Sequence, residues 1–290
     1  MPTTPRSTAT LYVVATPIGN LADMVPRAVT VLQSVDAIAV EDTRHSGHLL
    51  QHFGIQKPLV PYHDHNEREA AERLLGLLQQ QKRVALISDA GMPAIADPGY
   101  RLVRQAHQHG IRVEVIPGPC AAIAALAGSG FPTDRFLFAG FLPARNTARE
   151  TALEQLCAET STLVFYEAPH RLADTVTSLV QVLGGEREVC LARELSKQYE
   201  SLWLTTLSAL QQGIVDGQVT TRGEMVLVVA GRAAAETATD AEADRVLRLL
   251  LDELPVKQAA RLAAQITGAS KRALYQRALA WRGEDDVHEA

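Results

Sequence analysis

The chain has 290 residues, of which 47% are hydrophobic and 21% charged, and a formal net charge of −5. These values suit a soluble globular protein with room for two ordinary domains, and they carry no whole-chain signature of nucleic-acid binding. Three cysteines, Cys120, Cys157 and Cys190, are odd in number and far apart, which argues against a disulfide framework, and no CxxC zinc pattern occurs. Residues 1–10 are polar, lack the apolar centre of a secretory signal, and are expected to form a disordered tail. No apolar run approaches the ~20 residues that span a bilayer, so a cytoplasmic location without membrane contact is expected.

The first half alternates short β runs with amphipathic stretches. Strands are expected at Leu11–Ala15, Ala37–Val40, Arg83–Ile87 and Arg112–Ile116, with helices between them at Asn66–Gln81 and Gly99–His109. This is the rhythm of a mostly parallel sheet. Pro117-Gly118-Pro119 punctuates the chain and marks the best boundary, dividing an α/β domain at 11–118 from a second at 119–232. The second half opens with an alanine-rich helix at Cys120–Ala127. Strands follow at Phe136–Phe138, Leu163–Tyr166, Glu188–Ala192, Ser201–Leu204 and Met225–Ala230, in a looser order that suggests a mixed sheet. Residues 233–290 read as an Ala/Thr/Glu linker and a small helical module with helices at about Asp240–Glu253, Pro255–Thr267 and Ser270–Trp281. Gly268 is placed to stop the middle helix and Ser270 to cap the last.

Chemistry concentrates at strand ends. The stretch Ser88-Asp-Ala-Gly-Met-Pro-Ala-Ile-Ala-Asp-Pro-Gly99 follows a buried apolar run and opens into a Gly/Pro-shaped loop carrying acids. Open α/β sheets present ligand sites in this way, beyond the carboxyl ends of their strands. Ala15-Thr-Pro-Ile-Gly-Asn-Leu21, Glu41-Asp-Thr-Arg-His45 and Ile116-Pro-Gly-Pro-Cys-Ala-Ala122 also follow strands, so all three should converge with the Asp89 loop. No GxGxxG follows the first strand, and no GxxxxGK[ST] or GxSxG occurs, which disfavours NAD, P-loop NTP and α/β-hydrolase chemistry. His45, His48, His52, His63 and His65 could contribute to a metal site, but the spacing fits no metal motif, and a solvated helix and loop explains them as well.

Taken together, these segments resemble the tetrapyrrole methylase superfamily of S-adenosyl-L-methionine (SAM) enzymes, and within it the ribosomal RNA small subunit methyltransferase I branch. Phe165-Tyr-Glu-Ala-Pro-His-Arg171, Ala192-Arg-Glu-Leu-Ser-Lys197 and Arg222-Gly-Glu224 complete the set, which runs in family order across residues 11–231. The resemblance implies two α/β domains with SAM in the cleft between them, 2′-O-ribose methylation of a cytidine in 16S rRNA of the small subunit, and a homodimer. Carried over by position, the SAM site comprises Pro17, Asp89, Met92, Ile95, Cys120, Ala121, Tyr166 and Met225. Met92 departs from the threonine usual there.

Methyl transfer to a hydroxyl needs in-line alignment and a base. Glu167 and Glu194 are candidates for the base, as is Lys197 if burial lowers its pKa. Arg44, Arg171 and Arg193 suit phosphates. From Pro255 to Gly283 six basic residues occur without an acid; Lys257, Arg261, Lys271, Arg272 and Arg277 are the candidates there for rRNA contact. Two other readings remain open at this point: methylation of a tetrapyrrole or other small molecule, and a non-catalytic RNA- or ribosome-binding protein.

Overall fold

A computed structural model describes residues 9–232 and 236–288. The chain forms two compact units, one ending at Gly231 and one beginning at Arg232. The first unit contains two five-stranded sheets. Among the described residues, no helix is long and apolar enough to cross a membrane.

The first sheet is built from β1 (Thr10–Val14), β2 (Ala37–Val40), β3 (Leu59–Pro61), β4 (Arg83–Leu86) and β5 (Arg112–Ile116) in the order β3-β2-β4-β1-β5. Every pairing is parallel. Both faces are covered, so the central strands are apolar on both sides. Leu11, Ala39, Val84 and Leu86 pack under α3 (Glu67–Gln79) and α4 (Tyr100–Gln108). Val14, Ile38, Val40, Ala85 and Ile87 face α1 (Pro26–Ser34) and α2 (Thr43–His52). Because all five strands run the same way, their carboxyl ends share one edge, where the loops after β1, β2, β4 and β5 meet.

Pro117–Pro119 carries the chain to the second sheet. There α5 (Ala121–Gly128) precedes β6 (Phe136–Phe141), α6 (Asn146–Glu154), β7 (Thr162–Glu167) and α7 (Leu172–Leu183). These are followed by β8 (Glu188–Arg193), β9 (Ser201–Thr206), α8 (Leu207–Val215) and β10 (Met225–Val229). The strand order is β6-β7-β10-β8-β9, with β6 and β7 parallel and the other pairs antiparallel. The expected mixed sheet is present. Alternate residues divide between two layers: Phe165, Leu191 and Leu227 lie under α6, α7 and α8, while Val164, Ala192 and Val226 pack against α5.

Several expected limits move. Ala9 and Thr10 are buried and Thr10 begins β1, so these two do not belong to the tail expected at residues 1–10; residues 1–8 lie outside the described residues. β6 extends past a bulge at Gly140 to Phe141 instead of ending at Phe138. β3 was not anticipated. In the second unit, α9 (Glu236–Glu253), α10 (Val256–Thr267) and α11 (Lys271–His288) pack around Ala243, Leu247, Ala259, Ala263, Leu274 and Ala278. The helix therefore starts inside the expected linker. Gly268 ends α10 in the left-handed region at φ 74°, and Ala273 N donates to Ser270 Oγ, as a stop and a cap require.

Candidate functional site

The loops after β1 and β4 are stapled together. Thr16 N donates to Gly91 O at 2.9 Å, Gly91 N donates back to Thr16 O at 3.2 Å, and Thr16 Oγ1 donates to Ser88 O. The loop after β2 joins through Asp89, whose Oδ1 accepts from Asp42 N and from Ser46 Oγ, each at 3.3 Å. Asp42 in turn caps α2, accepting from Arg44 N and His45 N, and these amides hold its carboxyl below the usual range. The loop after β5 closes the group: a Cβ on Gly118 would stand 2.9 Å from Ala15 Cβ, so only glycine lets this segment lie against the end of β1. The expected convergence of four loops is thus seen.

Between this edge and the second sheet lies a cleft of about 300 Å³. Of the expected SAM-site residues, Met92, Ile95, Ala121, Tyr166 and Met225 line it. Ile18, Phe141, Leu195 and Val226 complete its apolar wall. Tyr166 links the parts: its Oη accepts from Ala122 N at 3.2 Å at the start of α5, and its ring meets Phe138 and Phe141 edge-on. Burial, then the neighbouring Cys120 thiol, push its phenol well above the ordinary range, so it stays a neutral hydrogen-bonding group. The loop that forms the opposite wall is held in sparsely populated backbone space, with Ala94 at φ 66° and Ala96 at φ 62°.

Three expected members sit elsewhere. Pro17 and Asp89 line a neighbouring cavity, and Cys120 lies behind the wall at the N-cap of α5, beside Tyr166. Ala90 and Ile18 line the cleft, while their chain neighbours Asp89 and Pro17 line the other cavity. Three acids line the cleft, Asp97, Glu167 and Glu224, and Asp97 is the one that comes from the Ser88–Gly99 stretch. Burial, and then the nearby carboxylate of Glu41, raise its pKa to about 6, with Asp89 and Asp64 adding to the effect and a Ser88 hydrogen bond opposing it. Glu41 is raised as well, first by burial and then by Asp89 and Asp64. Asp97 belongs to the same Ser88–Gly99 stretch as Asp89, and nothing in its spacing sets it apart from Asp89.

The three candidate bases change character. Glu167 lines the cleft but is only 3% exposed, and its carboxylate is engaged by neighbouring groups. Its Oε1 accepts from Ala168 N and stands 3.3 Å from Arg171 Nε, and its Oε2 accepts from Thr175 Oγ1. This is a structural ion pair, which removes Glu167 as a free base and Arg171 as a free phosphate ligand; Arg171 also donates to Leu142 O. Glu194 Oε1 accepts from Glu224 N at 2.8 Å and from Lys197 Nζ at 3.0 Å, and these bonds hold its carboxyl below the ordinary range. Burial acts to lower the pKa of Lys197, but its bonds to Glu194 and Glu224 outweigh that and the net shift is upward. The condition for Lys197 as a base therefore fails; it is an ammonium.

Lys197 and Ser196 also tie the loop after β8 to the segment after β1. The Lys197 stem lies over Gly19, where a Cβ would come within 2.3 Å of Lys197 Cε, and Ser196 Oγ donates to Asp23 Oδ2. Glu224, the second carboxylate on Lys197 at 3.2 Å, lines the cleft with its side chain 68% exposed. Arg193 is committed to backbone: Nε donates to Arg222 O and Nη1 to Tyr199 O, so it shapes this loop rather than meeting a phosphate. Arg44 is 91% exposed and open to a ligand. In the second unit Lys257, Arg261, Lys271 and Arg272 are exposed, whereas Arg277 pairs with Asp244 at 2.9 Å and is held within the helical bundle. Among the described residues no group of three His, Cys, Asp or Glu side chains is arranged to hold a metal ion.

Residues 10–211 match the signature of the Tetrapyrrole (Corrin/Porphyrin) Methylases, and residues 237–282 that of an RsmI C-terminal HTH domain. The chain is 53% identical over 280 residues to the ribosomal RNA small subunit methyltransferase I of Pseudomonas aeruginosa, covering 96% of this chain and 99% of the relative. The chain belongs to the ribosomal RNA small subunit methyltransferase I family of tetrapyrrole methylases. The Escherichia coli O157:H7 member is 52% identical over 278 residues, covering 96% of this chain and 97% of its own. Among solved structures, a diphthine synthase superposes with a TM-score of 0.58 at 14% identity, covering 77% of this chain and 94% of its own. The methyltransferase CobJ gives 0.57 at 18% identity, covering 78% and 95% respectively. At these identities the structural likeness establishes the fold alone.

Proposed function

We propose that the chain is a SAM-dependent methyltransferase that modifies the ribose 2′-hydroxyl of a cytidine in 16S rRNA of the small ribosomal subunit, in the cytoplasm. The observation that carries this reading is the apolar cleft walled by both sheets, in a chain more than half identical to a small-subunit rRNA methyltransferase. The cleft fits SAM in its chemistry. Met92, Ile95, Phe141 and Tyr166 offer flat and apolar walls for an adenosine, and Asp97 offers a carboxylate for a cation.

When bound, SAM supplies a methyl carbon on a sulfonium, and the C–S bonding pair stays with sulfur as the ribose oxygen bonds to that carbon. The protein's share is alignment, since holding oxygen and methyl in line removes most of the entropic barrier. The hydroxyl proton leaves toward the rim of the cleft, where Glu224 is the exposed carboxylate and Lys197 fixes its position. The exposed cations Lys257, Arg261, Lys271 and Arg272 on α10 and α11 suit rRNA phosphates, with affinity that falls as salt rises. Arg44 suits the same role beside the cleft. The homodimer implied by the resemblance draws support from β9, an edge strand on which Leu202 and Leu204 are exposed.

Tritiated SAM incubated with small subunits from cells lacking the enzyme is expected to label 16S rRNA. Label appearing only in an added tetrapyrrole would favour the small-molecule reading, and SAM binding without any transfer would remove the rRNA assignment.

A further inference from the structure

The cavity lined by Pro17 and Asp89, of about 460 Å³, has no role in the reading of the cleft given above. One wall is the exposed face of α2. His45, His48 and His52 stand at positions i, i+3 and i+7 with Leu49 among them, while Ser46 and Leu50 face the core. Facing this helix are Leu21, 43% exposed, and the Pro17–Gly19 turn, with Asp89 at the boundary. The cavity and the cleft share two loops as walls. Along the loop after β1, Ile18 faces the cleft while Pro17 and Gly19 face the second cavity. Along the loop after β4, Ala90 faces the cleft and Asp89 the cavity.

We propose that this cavity seats the target nucleoside, unstacked from the RNA. The inference rests on the methyltransferase reading of the cleft. Three imidazoles provide flat faces and ring nitrogens able to donate or accept, which suits stacking against a base and bonding its edge. Leu21 and Leu49 add apolar contact. Asp89 is an acceptor for an exocyclic amino group and is held in place by Asp42 N and Ser46 Oγ. A carboxylate inside the cavity suits a base and ribose better than a phosphate. Arg44, at the start of the same helix, remains outside for the backbone. The shared loops place the cavity beside the cleft, as transfer to a ribose hydroxyl requires.

The test compares H48A, L49W and the H45A/H48A/H52A triple variant with the wild-type protein, and with H107A, an exposed histidine on α4, as control. Calorimetry gives SAM affinity and labelled SAM with small subunits gives transfer. Each variant is expected to keep its SAM Kd within about twofold while kcat/KM for the subunits falls at least tenfold, a loss of about 1.4 kcal/mol or more. Variants that methylate subunits at the wild-type kcat/KM would overturn the assignment. A wild-type protein that fails to bind SAM or to label rRNA would instead remove the reading beneath it, so the two failures are distinguishable. L49W guards against misfolding in the triple variant, since it fills the cavity without deleting any polar group.

Discussion

Replacing Asp97 by asparagine is expected to weaken SAM binding about tenfold at pH 7.5 and to abolish its pH dependence between pH 5 and 7. In the ligand-free protein the Asp97 pKa is about 6, raised by burial and by Glu41. A cationic ligand favours the ionised form, so binding draws the proton off. If only the ionised form binds well, the ionised fraction falls about tenfold from pH 7 to pH 5, and apparent affinity falls with it. The sign for stability is opposite. The folded-state pKa lies above the ordinary value of 3.8, so the native protein holds this proton more tightly than the unfolded chain does. Asp97 therefore costs stability as pH rises from about 4 through 6. D97N should melt higher than wild type at pH 7 without SAM, yet gain less from SAM. Calorimetry across pH and paired thermal melts check both; a wild-type affinity that is flat from pH 5 to 7 would remove Asp97 as the counter-charge.

Glu167→Ala is expected to act on folding before chemistry. It would leave Arg171 half-buried without its carboxylate and Thr175 Oγ1, at a fully buried position, without its acceptor. Breaking a buried pair by deleting one partner costs about 3 kcal/mol, which in a chain of this size lowers Tm by roughly 6–12 °C. E167Q keeps the shape and should fall between the two. Measured well below its melting temperature, E167Q should retain turnover within about tenfold of wild type, because the carboxyl positions the end of β7 and does not touch the hydroxyl. An E167Q protein with unchanged Tm and turnover lost by 10² or more would return Glu167 to the role of base.

The sequence made the loops legible and the side-chain directions illegible. The Asp89 stretch, the Thr16–Asn20 turn and the Pro117–Pro119 crossing all meet at one sheet edge, because parallel strands leave them no other arrangement. Which acid of that stretch faces the cleft depends on the left-handed residues Ala94 and Ala96, and no propensity signals a non-glycine residue in that region. Phe141 was missed because the bulge at Gly140 lengthens β6 and swings its end toward Tyr166. β3 was missed because three residues ending in proline carry almost no strand signal. Arg171, Arg193 and Arg277 read as free cations in one dimension. Folding gives each an internal partner: Glu167, two backbone carbonyls, and Asp244. Lys257 and Arg272, on exposed helix faces, kept the character that the sequence indicated.

The most direct test of the central claim is nucleoside mass spectrometry of 16S rRNA from small subunits incubated with the protein and SAM. A single new 2′-O-methylcytidine is expected, with the added mass of one methyl retained on the ribose fragment, and its loss when SAM is withheld. A methyl on the base, or no gain in any rRNA nucleoside from subunits known to lack the modification, would contradict it.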